Sequence, residues 1–344
     1  MRSILLLVSL VFLVTSLASA QTKSIADLAN YRGADREEML KAGAKKEAKL
    51  VWYTSLTAHR DIANVFEARY PGIKVETYRA SGNDLTRRIL SEAQSRRNLA
   101  DLVETTPPTL MVMRDNKLLV PYFSPHLRNY PADSKEEVDK DRALWTTDRE
   151  SIISLGYNRN LIRAAEVPKN FTDLIKPAHK GKIGVSGDST GVRFLGAVIR
   201  AKGEEFAKQL RVIEMTMHMI SGGAIHELMA AGKMPMSVSI FRNHVLAAQP
   251  KGAPTEWTPL DLNATNAGGV ALPVGSNNPH GALLLADFLL SPEGQKIFEE
   301  KFRFATSTKN YGFKRWYPEK GMTLEQYEKA EDQWKKLLRD LVRR

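Results

Sequence analysis

The stretch Ile183–Phe194, IGVSGDSTGVRF, sets an aspartate, two serines and three glycines between an apolar run and a helical pattern. Three readings fit it. Ser189 could be displayed as a nucleophile. The backbone N–H groups of Ser189, Thr190 and Gly191 could hold an anion at the start of a helix. The turn could also cap a helix and do nothing more. A serine is a weak nucleophile at neutral pH without an adjacent base, and no base lies close to Ser189 in sequence. The anion reading draws on free N–H groups and on the helix dipole, worth about 0.3–1 kcal/mol for a negative charge.

Arginines extend the anion reading. Arg79 closes an apolar–polar alternating run just before ASGN, and Arg242 follows the apolar run Met236–Phe241. A guanidinium fork matches carboxylate or phosphate geometry, and a charge-assisted hydrogen bond contributes roughly 1.5–3 kcal/mol. An ordinary surface position is the alternative for each, and Arg193 is a weaker member of the set. Neutral partners are expected from Thr54 and Ser55, from Thr105 and Thr106, and from Ser221 and Gly222 at a second helix start. Phe241 could pack on an organic part of a ligand, although core packing is the commoner role of phenylalanine. Tyr157 lies on a strand that could serve as a hinge.

These residues need a frame, and the patterning supplies one. KLVWYT (Lys49–Thr54), the alternating Ile73–Thr77 stretch and ADLVETT read as strands. Helices follow them, over Ala58–Tyr70 with Thr57 as cap, from Asn83 as cap to about Arg97, and from Pro107. Short links between alternating strands and helices predict a parallel sheet covered on both faces. Residues 121–148 break the rhythm and read as a crossing between domains. A second alternation begins with the strand Ser151–Asn158. It continues with strand Lys182–Ser186, helices Val192–Lys202, Phe206–Met215 and Ala224–Ala231, and strand Met236–Phe241. Gln249–Gly269 is rich in proline and glycine and reads as the return crossing. Ligands in such sheets bind beyond the strands' carboxyl ends, and a cleft between two such units suits a small molecule. At the end of the chain, Thr323 and Gln326 form a capping box. Leu324, Tyr327, Trp334, Leu338 and Leu341 make one apolar face expected to dock on the body.

Composition bounds the rest. Arg2, the fourteen-residue apolar run Ile4–Leu17 and Ala18-Ser19-Ala20 read as a signal peptide cleaved after Ala20, which leaves 324 of the 344 residues. A periplasmic location is expected. The run falls short of the roughly 20 apolar residues that span a bilayer. The chain has no cysteine, which removes thiolate catalysis and thiolate metal sites. A net charge of +11 favours anionic partners. The basic residues are scattered, and nucleic acid is not expected for an exported protein.

Taken in order, KLVWYTSLTAHRDIANVFEARYPGIKVE, GYNRNLI, NFTDLIKPAHKGKIGV, GKMPMSVSIFRNHV and ADFLLSPEGQKIF resemble the bacterial extracellular solute-binding proteins of ABC importers. The subgroup is the one that includes ferric-ion-binding proteins. The resemblance implies an α/β, two-lobed Venus-flytrap fold of the type II periplasmic binding protein kind, with a ligand cleft between lobes joined by hinge strands. It also implies a permease and an ATPase as partners. The division expected is residues 21–125 with 267–305 in one lobe, and 126–266 with 306–344 in the other.

Iron-binding members hold Fe(III) with a histidine after the first strand, a glutamate after the third and adjacent tyrosines in the second lobe. Here His59 lies further from the strand, Thr105 and Thr106 follow ADLVE, and Ser239–His244 contains no tyrosine. Glu104 and His59 remain as a bare pair. In the ferric-binding relatives the turn matching Ser189, Thr190 and Gly191 holds the synergistic anion. Arg242 stands in the segment that would have carried the tyrosines, which moves the preferred guest from cation to anion.

The sequence therefore predicts a non-enzymatic, monomeric receptor without cofactor or resident metal. Its expected ligand is a small anion, an organic phosphate, a carboxylate or an oxyanion. Two alternatives stand beside it: ferric iron held with a synergistic anion or chelator, and a periplasmic hydrolase or sensor on the same scaffold. A Gly-Asp-Ser turn after a strand resembles that of one esterase class, but the Asp-x-x-His that class carries occurs nowhere in the chain.

Overall fold

The computed structural model describes residues 24–342. The proposed signal peptide lies outside the described residues.

Two half-sheets share two long strands. In the first half, Lys49–Thr54 lies parallel between Lys74–Arg79 and Leu102–Thr105. In the second, Ile183–Ser186 lies parallel between Met236–Phe241 and Thr216–His218. Asn263–Pro273 and Arg142–Asn158 run antiparallel to each other between the halves, and each is also antiparallel to the half-sheet beside it. A third connection crosses at the same level, where Glu150 and Ala305 exchange backbone hydrogen bonds of 2.9 and 3.0 Å. Three parallel strands in each half thus aim their carboxyl ends toward the region of the shared strands.

The local chemistry explains most elements. Met236–Ile240 is buried without interruption, as a strand covered on both faces requires. One apolar cluster extends through both halves and includes Val103, Trp145, Val185 and Val238, while a second, with Leu50, Trp52, Phe66 and Leu289, fills the first half. The capping box at Thr323 and Gln326 forms as expected, and the helix Leu324–Leu341 buries Tyr327, Trp334, Leu338 and Leu341. Trp334 meets Gly196 of the helix Ser189–Lys202 so closely that a Cβ there would lie 2.9 Å from the indole.

Several sequence expectations need correction. The stretch read as a crossing ends in the strand Arg142–Asn158, which begins nine residues before the expected Ser151. Its middle, Thr146 to Ser151, is polar or charged yet buried, so it carries no apolar signature. The return crossing holds two strands, Thr255–Thr258 and Asn263–Pro273. Ser81, not Asn83, caps the helix Gly82–Gln94, through a 3.3 Å bond from the Asp84 N–H. Thr57 caps nothing, because the helix His59–Arg69 starts from Ala58. The helix after the GDS turn starts at Ser189 rather than Val192.

Replacing a buried tryptophan by alanine typically costs 3–5 kcal/mol. Trp334→Ala is expected to lower the urea-unfolding free energy by about 3 kcal/mol. A change below about 1 kcal/mol would mean that the C-terminal helix is not anchored there.

Candidate functional site

The carboxyl ends of the strands surround a cleft of about 220 Å³. From the first half come Ser55, Leu56 and Thr57 after the strand Lys49–Thr54, Arg79 at the end of its strand, Ser81, and Thr106 after Leu102–Thr105. From the second half come Phe241, Asn243 and His244. The shared strands contribute Arg149, Ser151 and Asn266, and the third connection contributes Phe304. A larger hollow of about 650 Å³ opens elsewhere, beside the helices Arg36–Glu47 and Pro279–Leu290. Its arginines are already paired, Arg36 with Asp287, Arg69 with Glu37 and Glu293, and Arg32 with Asp141. It also lies away from the strand ends, so the smaller cleft is the better candidate.

The charge at the centre of the cleft belongs to Arg149. Its Nη2 lies 2.9 Å from Glu104 Oε1 and 3.4 Å from Ser55 Oγ, and its Nε is buried without a hydrogen-bond partner. The guanidinium carbon is 5.4 Å from the Phe304 ring centre, within range of a cation–π attraction. The other oxygen of Glu104 accepts a short hydrogen bond from Thr54, whose hydroxyl also accepts from the Leu56 N–H at 2.9 Å. Thr54 thus shapes the Ser55–Thr57 loop from behind. Gly268 leaves room for the pair, since a Cβ there would strike Glu104 Oε1 and lie 2.9 Å from the Arg149 guanidinium carbon.

Arg79 forms no ion pair among the described residues, while Arg149 is balanced by Glu104. His244 packs edge-on against Phe241, ring centres 5.1 Å apart. Burial, assisted by His226, pushes its pKa down to about 4, so at neutral pH it offers hydrogen bonding and no charge. The cleft therefore carries one uncompensated positive charge.

Ser55, Arg79, Thr106 and Phe241 all line this cleft. The other residues singled out in the sequence lie around it. Thr54 and Thr105 are fully buried behind the lining. Thr190 and Gly222 back the Phe241 side, a Cβ on Gly222 falling 3.0 Å from the Phe241 ring and 3.1 Å from the Thr190 methyl. Ser221 caps its own helix through the Ala224 N–H at 3.3 Å. At the GDS turn, Asp188 Oδ1 accepts from the Thr190 N–H at 2.8 Å and from the Ser186 hydroxyl at 2.5 Å. The helix start thus holds its own carboxylate, and Ser189 is exposed beside it. Gly191 packs against the Ser186 carbonyl, where no side chain fits. Arg193 is buried in bonds to Thr265, Glu319 and Tyr327. Arg242 lies over the Tyr311 ring, 4.8 Å from its centre, and is outside the lining. Tyr157 sits in register with Met236 and Glu256, also outside it.

Sequence reasoning missed Arg149, Ser151, Asn243, His244, Asn266 and Phe304. The period-two spacing of Arg149 and Ser151 was the available signal, because alternate residues of a strand share a face.

A bare ferric ion does not suit this lining. It is a hard cation that needs anionic oxygen, and none of the described residues lining the cleft carries a carboxylate; Glu104, buried behind it, is held by Arg149 and Thr54. His59 lies outside, its Nδ1 2.9 Å from Thr77 Oγ1, and burial with Arg60 and Arg79 lowers its pKa.

A two-lobed α/β receptor with its ligand cleft between the lobes is the class that this architecture defines. Residues 97–324 match the bacterial extracellular solute-binding proteins, and the chain belongs to that family. Members bind small solutes and work with a membrane permease and an ATPase. Iron-bound HitA from Pseudomonas aeruginosa is 20% identical with a TM-score of 0.66, over 86% of this chain and 99% of that one. The substrate-binding protein of an ABC transporter from Agrobacterium tumefaciens is 14% identical with a TM-score of 0.69, over 86% and 97%. AfuA from Actinobacillus pleuropneumoniae, with fructose-6-phosphate bound, is 21% identical with a TM-score of 0.61, over 85% and 97%. At these identities the likeness is one of fold. A Haemophilus influenzae protein described only as uncharacterized is 26% identical over 191 residues, and the chain spans about half of its length (55%).

One titrating group lies at the hinge. Asp148 occupies the register slip between the shared strands, fully buried, with neither carboxylate oxygen hydrogen-bonded. Burial above all, and then Glu104, raise its pKa well above the ordinary carboxylate range, against the pull of Arg149. The neutral acid is therefore the form that suits the fold. Its contribution is complete below the unfolded value of about 3.9 and is lost as pH climbs toward the raised folded value. Asp148→Asn copies the neutral acid, so the variant should be more stable than the wild type above about pH 4, with the advantage growing as pH rises. Denaturant titrations across that range check this, and a variant that loses ground at high pH would show the carboxylate to be the working form.

Proposed function

We propose that this protein captures a small organic anion outside the cytoplasm and delivers it to the permease and ATPase of an ABC importer. The lobes, divided near residues 125, 266 and 305, close about the strands Arg142–Asn158 and Asn263–Pro273. The observation that carries the ligand class is Arg79. It is a guanidinium at a strand's carboxyl end with no ion pair among the described residues, in a cleft whose other arginine is already balanced. Family membership supports the transport role, and the charge of the cleft supports the anion.

Arg79→Ala is the clean test, because it removes a charge without stranding a buried one. Arg149→Ala would leave Glu104 unpaired in the interior, at a cost of about 3–5 kcal/mol. Native mass spectrometry of protein isolated from its own periplasm should show a bound anion. Arg79→Ala should weaken its binding by roughly tenfold or more, the value of one charge-assisted bond, with folding intact. A neutral or cationic guest, or an affinity unchanged in the variant, would overturn the anion reading. Co-purified iron with a charge-transfer colour would point to a metal chelate instead.

A further inference from the structure

The unfilled hydrogen-bonding groups of the cleft say more about the guest than its charge does. Asn243 lines the cleft and is 8% exposed, yet its Oδ1 is buried without a hydrogen-bond partner. An amide oxygen is an acceptor only, so it awaits a donor. Arg149 Nε, buried and also unpartnered, awaits an acceptor. Buried polar groups left unpaired are costly, and native proteins rarely keep them so. Sulfate or an unsubstituted carboxylate could satisfy the arginine but brings no donor for Asn243. The remaining surface fits a hydroxylated carbon skeleton. Thr57, Thr106, Ser151 and Asn266 offer neutral polar groups, and Phe241 and Phe304 offer aromatic surface.

Resting on the anion reading above, we propose that the ligand is a hydroxyl-bearing organic anion, a polyhydroxy carboxylate or a sugar phosphate. Its acidic group lies against Arg79 and Arg149, and one of its hydroxyls donates to Asn243 Oδ1. Sulfate or an unsubstituted carboxylate leaves Asn243 unpaired. The preference is therefore built into the second half of the molecule, apart from the arginines of the first half and the shared strand.

Isothermal titration of the unliganded protein with gluconate, hexanoate, glucose 6-phosphate, inorganic phosphate, sulfate and glucose tests this. A hydroxylated anion is expected to bind at least about tenfold more tightly than its hydroxyl-free counterpart, as the loss of one hydrogen bond to a buried group implies. Asn243→Leu, of similar volume, should erase that preference, bringing the affinity for gluconate to that for hexanoate. Arg79→Ala should weaken both groups. Circular dichroism and thermal melting establish that each variant is folded; if Asn243→Leu is not, Asn243→Asp replaces it and should reduce anion binding through repulsion while leaving glucose unchanged. Equal binding of hexanoate and gluconate overturns the hydroxyl requirement and leaves the anion reading standing. Binding of glucose as tight as that of gluconate overturns the anion reading itself. No binding by any member overturns the proposal for these two ligand classes.

Discussion

The structure turns on a buried ion pair, Arg149 with Glu104, at the point where the shared strands cross between the lobes. Two charges taken out of water repay their desolvation only with close geometry and further bonds. Here Thr54 bonds one oxygen of Glu104, Ser55 and the Phe304 ring contact Arg149, and Gly268 yields the space. The buried Nε is left without a partner. That residue of unmet demand sits in the cleft, and it joins the stability of the crossing to the occupancy of the site.

Several features follow from this placement. Arg149 belongs to a strand that continues into both halves, while Glu104 and Ser55 belong to the first half. An anion drawn to Arg149 and Arg79 approaches the strand about which the halves turn, and Phe241, Asn243 and His244 approach it from the other side. Asp148, next in the chain, has its pKa raised by burial above all and then by Glu104, which favours its neutral form. Were it ionised, it would compete for Arg149 and cancel the positive charge that the cleft presents.

Much of the frame was legible in the sequence because apolar periodicity reports it directly. Five of the six strands of the half-sheets, most helices between them and the capped C-terminal helix follow from alternation and from capping residues; the short edge strand Thr216–His218 was not foreseen. The shared strands were legible only in their apolar portions, Ser151–Asn158 and the GVALPV run. Thr146 to Ser151 and the Asn263–Gly269 stretch are polar or glycine-rich, because they line a cleft and cross between lobes rather than fill a core. The same physics hid half of the site. Arg79 and Thr106 could be found from strand ends, but Arg149 and Asn266 face the cleft from the polar portions of the shared strands, the portions that did not read as strand. The GDS turn misled in an instructive way: an anion does sit at its helix start, and it is the chain's own Asp188.

The central claim is that the cleft is an anion site organised by Arg149 and Arg79. Crystallography of the protein loaded with its native ligand tests it most directly. The account expects the ligand's acidic oxygens within hydrogen-bonding distance of both guanidinium groups, about 2.7–3.2 Å, with the Arg149–Glu104 pair retained. A ligand whose acidic group lies elsewhere, or a cation coordinated by Glu104 with Arg149 turned away, would contradict it.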